Sequence, residues 1–143
     1  MQSSNPALLN LERIKKLKAE PPDQREFDGL VRSARRSLAD AEKKANASES
    51  RFILAYDAAH SLASAALRWH GFRSADRYTV FQVLAHTVNF PNEKWRLLDD
   101  CHQKRNAALY DGNAADDELL IEELIVVTKD LQIAVIELGP VRS

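Results

Sequence analysis

The chain has 143 residues, 45% hydrophobic and 29% charged, with 20 basic against 21 acidic side chains and a formal net charge of −1. That length and balance suit one soluble domain with a real core, and the near-neutral charge supplies no global field for nucleic acid. A single cysteine, Cys101, excludes an intramolecular disulfide and fits a reducing compartment. The start, MQSSNPALLN, has no charged region followed by an apolar run, and no window approaches the ~20 apolar residues of a membrane helix. A cytoplasmic protein with no membrane partner is expected.

Four glycines, five prolines and long Ala/Leu/Glu/Lys/Arg-rich stretches point to helices. Residues 1–22 read as a tail with a short helix over Ala7–Ala19, stopped by Pro21 and Pro22, because proline lacks an N–H and restricts the residue before it. Residues 23–143 read as one bundle domain. Asp23 is a good cap for a helix from Gln24 to about Ala45, with Phe27, Val31, Ala34, Leu38 and Ala41 on one line. Arg25, Arg32, Arg35, Arg36, Lys43 and Lys44 lie off that line and read as a solvated face.

A third helix runs from about Glu49 to His70, with Phe52, Ala55, Ala59, Leu62, Ala66 and Trp69 in register. Its many Ala and Ser residues allow a neighbouring helix to approach closely, and Gly71 is a natural stop. Arg68, Arg73 and Arg77 flank the following loop and read as ordinary solvated charges, the sharper alternative being a basic rim for nucleic acid. Asp76 caps a fourth helix over Arg77–Val88, and Pro91-Asn92 opens a fifth that runs to about Tyr110. Asp111-Gly112-Asn113 reads as a turn. The last helix, from about Asp116 to Leu138, begins with Asp116, Asp117 and Glu118 at its positive dipole end. No period-2 strand pattern or internal repeat is evident. The expected fold is all-α: an antiparallel up-and-down bundle of five to six helices, a four-helix core plus one or two N-terminal helices.

The fifth helix carries the candidate site. Trp95, Leu98 and Leu109 share one stripe, and steps of three and four run the same stripe through His102 and Arg105. An arginine on a core-facing line is costly unless it has a partner or lines a cleft. His102, Asn106 and Tyr110 follow at intervals of four with Arg105 beside them, a cluster able to bind a phosphate or a partner's carboxylate. The plainer alternative pairs Arg105 with an acid on another helix and packs Tyr110 with its hydroxyl on a carbonyl. Asp57, His60, His86 and His102 spread over three helices. They contain no HxxxH or ExxH pair, so hydrogen-bonded structural histidines are expected and no metal site is. Trp69 and Trp95 read as core or dimer-interface residues, and Cys101 as a small buried filler.

The segment RNAALYDG resembles the signature of HEPN domains, all-α proteins of prokaryotic toxin–antitoxin and defence systems. Their hallmark is an Arg followed by a polar residue, four to six further residues and a His. FILAYDAAHSLASAALRWHGF, then TVFQVLAHTV, then the motif helix resemble a small stand-alone HEPN subgroup over about Arg51–Gly112. The resemblance implies that Arg105 is the motif Arg, Asn106 its polar neighbour, and Tyr110 the occupant of the His position. In active HEPN ribonucleases the Arg and His of two facing subunits cleave RNA without metal. A phenol titrating near ~10 is a poor base at neutral pH, and His102 precedes the Arg instead of following it. The expectation is therefore a homodimeric, non-catalytic binding protein with no cofactor, using Arg105, Asn106, Tyr110, His102 and Asp57. Its partner would be a nucleotidyltransferase or toxin, or a nucleotide or RNA. The alternatives are a metal-independent ribonuclease toxin, with Arg105 and a substitute such as His102 or Tyr110, and a nucleic-acid-binding adaptor.

Overall fold

The structure, a computed structural model, describes residues 5–76, 79–111 and 117–142, and for 108–111 the backbone alone. Within these residues it is an all-α helical bundle with one small antiparallel ladder. Its elements are α1 (Pro6–Arg13), β1 (Leu17–Ala19), α2 (Gln24–Ala41), α3 (Ser48–Trp69), β2 (Phe72–Ser74), α4 (Thr79–Gln82), α5 (Leu84–Thr87), α6 (Asn92–Asp111) and α7 (Glu118–Ile136).

The helix α3 is the axis of the bundle. Ala55, Ala58, Ala59, Ala63, Ala65 and Ala66 are completely buried, and so is Leu62. Small side chains on several faces let α2, α6 and α7 pack around one helix with little space lost. The short connection after α2 makes α2 and α3 antiparallel neighbours. The core is filled by Phe52, Phe81, Leu84, Leu98, Ile121, Leu124 and Leu131, all essentially inaccessible to water. Helix starts follow local chemistry. The Asp23 carboxylate accepts from the Arg25 and Glu26 amides at 2.8 and 3.2 Å, and Asp117 serves α7 in the same way. Gly71 ends α3 at φ 87°, a conformation that suits a residue without Cβ.

Two buried arginines brace the bundle. Arg51 Nε donates to the Ala41 carbonyl at 2.7 Å, while its Nη atoms reach Glu118 at 3.0 Å and Glu122 at 2.9 Å. One guanidinium thus satisfies the C-terminal end of α2 and fixes the first turns of α7. Arg68 does the corresponding work at the other end. It donates to the carbonyls of Glu20, Pro21 and Phe72 and to the Glu26 carboxylate.

Several expectations are corrected. Residues 7–19 do not form one helix. The chain leaves α1 at Arg13, passes Lys15 at φ 67°, and enters β1, which pairs Leu17 with Ser74 and Ala19 with Phe72. The ladder was illegible because three residues cannot show alternation; what fixes it is burial of Leu17 and Phe72 with Leu8, Leu67 and Val83 in a satellite core. The expected fourth helix is two single turns, α4 and α5, and Arg77 lies outside the described residues. Arg68 is buried and Arg73 is ion-paired, so neither is a free solvated charge. Trp69 and Trp95 are half-buried and pack against the core, in line with the expectation. Cys101 is buried and free, as expected. The 112–113 turn and the Asp116 start of the last helix lie outside the described residues.

Candidate functional site

Helix α6 turns its middle toward α3 and the α4 turn. Leu98, Cys101 and His102 are buried on that side, so the stripe read through Leu98 and His102 is the packed one. His102 is 1% exposed, and an imidazole at that depth needs hydrogen bonds. Nδ1 lies 2.6 Å from the Tyr56 hydroxyl on α3, and Nε2 lies 3.3 Å from Asn106 Nδ2 one turn further along α6. With the amide nitrogen donating to Nε2, Nδ1 carries the hydrogen and donates to the phenolic oxygen. The rings of Tyr56 and His102 stack with centroids 5.9 Å apart, and Phe81 meets Tyr56 edge-on at 5.9 Å.

Arg105 stands beside this chain. Its guanidinium carbon lies 5.2 Å from the Tyr56 ring centroid, the arrangement in which a cation is drawn to an aromatic face. Its Nε is buried with no hydrogen-bond partner among the described residues. Asp57, exposed one residue along α3 from Tyr56, has its carboxyl pushed up by partial loss of water, an effect that the charge of Arg105 opposes. Asp99 Oδ1, three residues before His102 on α6, is buried with no hydrogen-bond partner among the described residues, and burial raises that carboxyl too.

The structure therefore brings together His102, Arg105, Asn106 and Asp57. The Tyr110 side chain lies outside the described residues. Tyr56, which organises the group, was not singled out from sequence. The available signal was a tyrosine in a helix of buried alanines, whose hydroxyl must find a partner. His60 sits on the Tyr56 side, with ring centroids 6.2 Å apart. It also lines a cavity of about 380 Å³ between α3 and β2 with Ser61, Ser64 and Arg73. His86 faces a different groove, with Lys16, Asp76 and Thr79, and does not join His60 and His102. Among the described residues no three ligating side chains gather as a metal site.

Chemically, both His102 nitrogens are occupied. Using it as a proton acceptor requires breaking a buried hydrogen bond. Among the described residues Arg105 is the cation of this group whose Nε–H has no hydrogen-bond partner. Comparison with protein-family models, with curated proteins and with solved structures finds no significant match.

Proposed function

We propose that the protein is a non-catalytic, HEPN-type binding module of a prokaryotic toxin–antitoxin or defence system. In this reading it is a homodimer that presents Arg105, Asn106 and Tyr110 to a protein partner or a nucleotide. The observation that carries the reading is the division of labour on α6. His102 is held between Tyr56 and Asn106 in the core, while the buried Arg105 Nε has no hydrogen-bond partner among the described residues and its guanidinium lies near the exposed Asp57. A histidine locked in this way suits positioning better than proton transfer. An arginine fixed on an aromatic face suits recognition of phosphate or carboxylate.

The test compares wild-type protein with Arg105→Ala and Tyr56→Phe. The assays are cleavage of a structureless RNA, thermal stabilisation by ATP and AMP, and copurification with the co-expressed product of the neighbouring gene. Arg105→Ala is expected to leave the melting temperature nearly unchanged and to weaken the partner or nucleotide interaction at least tenfold, with no RNA cleavage by any form. RNA cleavage abolished by Arg105→Ala would establish the ribonuclease alternative instead. Neither partner nor nucleotide binding, or binding indifferent to Arg105, would end the proposal.

A further inference from the structure

The outward side of α2 carries a row of arginines at helical spacing. Residues 25, 32 and 36 are separated by seven and four, and Arg35 joins them three after Arg32. All four are exposed and form no ion pair among the described residues, unlike Arg51, Arg68 and Arg73. Two nearby acids are paired with lysines: Glu42 is 3.0 Å from Lys129 and Asp40 is 3.1 Å from Lys43. Asp28 accepts from the neutral Gln24 amide at 2.8 Å and keeps its charge. The arginines span three helical turns, about 16 Å.

Beside this row α2 and the end of α7 enclose a groove of about 610 Å³. Phe27, Val31 and Ile136 supply its apolar floor, and Arg32 and Arg35 stand at its edge together with one acid, Asp28, so the two cations outnumber it. Two contacts bridge this side of the bundle: Glu42, just past α2, pairs with Lys129 of α7, and the amide of Val141, in the segment after α7, donates to Gln24 at the start of α2 at 2.7 Å. Ile133 and Ile136 are 58% and 41% exposed, so aliphatic surface of α7 continues the floor into solvent. The acids of α7 closest in sequence, Asp130 and Glu137, fall on the other side of Ile133, away from α2. The protein as a whole is almost neutral, so this cationic rim is local.

We infer that the α2–α7 groove is a docking surface for an acidic amphipathic helix of another protein. Aliphatic residues of that helix lie on Val31, Ile133 and Ile136, and its carboxylates meet the four arginines. The chemistry selects this occupant. Bidentate carboxylate pairing is what exposed, uncommitted arginines offer, and a helix laid in an apolar groove is a recurrent mode of recognition. A single-stranded nucleic acid needs aromatic stacking platforms, but Phe27, the aromatic of this groove, is 6% exposed. A second copy using the same patch would set two arginine rows against each other.

The surface is separate from Arg105, so this inference stands or falls independently of the function proposed above. A displayed library of helical peptides of about five turns, roughly 18 residues, randomised over acidic, aliphatic and neutral polar residues, is selected against the whole chain. Binding of the enriched peptides is then measured by fluorescence anisotropy. Enrichment of Glu and Asp around an i, i+3/i+4, i+7 aliphatic stripe is expected. Affinity should fall at least tenfold in R32E/R35E and in Ile136→Glu, with circular dichroism unchanged, and should weaken between about 50 and 500 mM salt. The inference is overturned if acidic sequences are not enriched, or if affinity is indifferent to R32E/R35E. Tighter binding of a single-stranded RNA or of phosphatidylglycerol vesicles at the same arginines also overturns it.

Discussion

Arg68 gives the sharpest energetic prediction. Its side chain is 4% exposed, and its guanidinium serves three backbone carbonyls, at 3.0, 2.7 and 3.3 Å, together with Glu26. Arg68→Met keeps most of the aliphatic volume and removes every donor. The orphaned carbonyls of Glu20 and Pro21 lie at the edge of the bundle, where water can recover part of their solvation, whereas that of Phe72 is deeper. Removing one partner from such a buried charged network costs about 3–5 kcal/mol. At about 2–4 °C per kcal/mol for a chain of this size, the melting temperature should drop by roughly 6–20 °C. Calorimetry at neutral pH measures the drop, and hydrogen exchange locates it. The amides of Glu20 and Ala75, which donate to Gly71 and Lys16 across the ladder ends, should lose protection before those of α3. A loss below about 1 kcal/mol, the scale of an ordinary surface ion pair, would refute the view of Arg68 as the clamp. So would a large loss with the ladder amides still protected, because the cost would then lie in packing alone.

Cys101 should be inert in the native state. Burial pushes its thiol up to about 12, so at pH 8 a disulfide reagent should react only at the rate of unfolding, and rapid stoichiometric labelling would contradict the packing described. Acid stability should follow two opposing sets of carboxyls. Glu20 is held below its ordinary value chiefly by the Arg73 hydrogen bond and Glu122 by Arg51; at Glu26 burial works upward and the bonds from Arg68 and Arg73 outweigh it. Their contribution is fully present above the unfolded value near 4.5 and is lost as pH falls through the lower folded values. Asp57 and Asp99, raised by burial, act with the opposite sign and favour the fold as they take up protons in the range above their ordinary 3.8. Asp57→Asn should therefore be at least as stable as wild type at pH 7, and should lose stability more steeply as the pH falls toward 4, because the opposing contribution of Asp57 is gone. A clear loss at pH 7 would mean that the Asp57–Arg105 attraction outweighs desolvation.

The bundle was legible wherever one helix presents one face. The period of Phe27, Ala34, Leu38 and Ala41 and the cap at Asp23 place α2 from local information alone. Legibility fell where a residue's environment comes from elsewhere in the chain. Arg51 and Arg68 look like surface charges in sequence, and they are buried because backbone carbonyls and acids from distant segments converge on them. Leu17–Ala19 has little intrinsic strand signal and pairs because Phe72 and Leu8 offer it a pocket. At the site, spacing found His102 beside Arg105 and Asn106 on one helix. Tyr56 was invisible as a partner because the register between α3 and α6 is a property of the packed bundle.

The β1–β2 ladder also sets an order of assembly. Leu17 cannot reach Ser74 until more than fifty further residues exist, a wait of about 3–10 s at translation rates of roughly 5–20 residues per second. For most of that interval Leu8 and Leu17 lack Leu67 and Phe72, and Val83 follows only after Ser74, so the pocket that later shelters them is incomplete. The arm is thus the earlier-made segment and the later-docked one, and a nascent chain halted before β2 carries its apolar residues exposed to whatever is near.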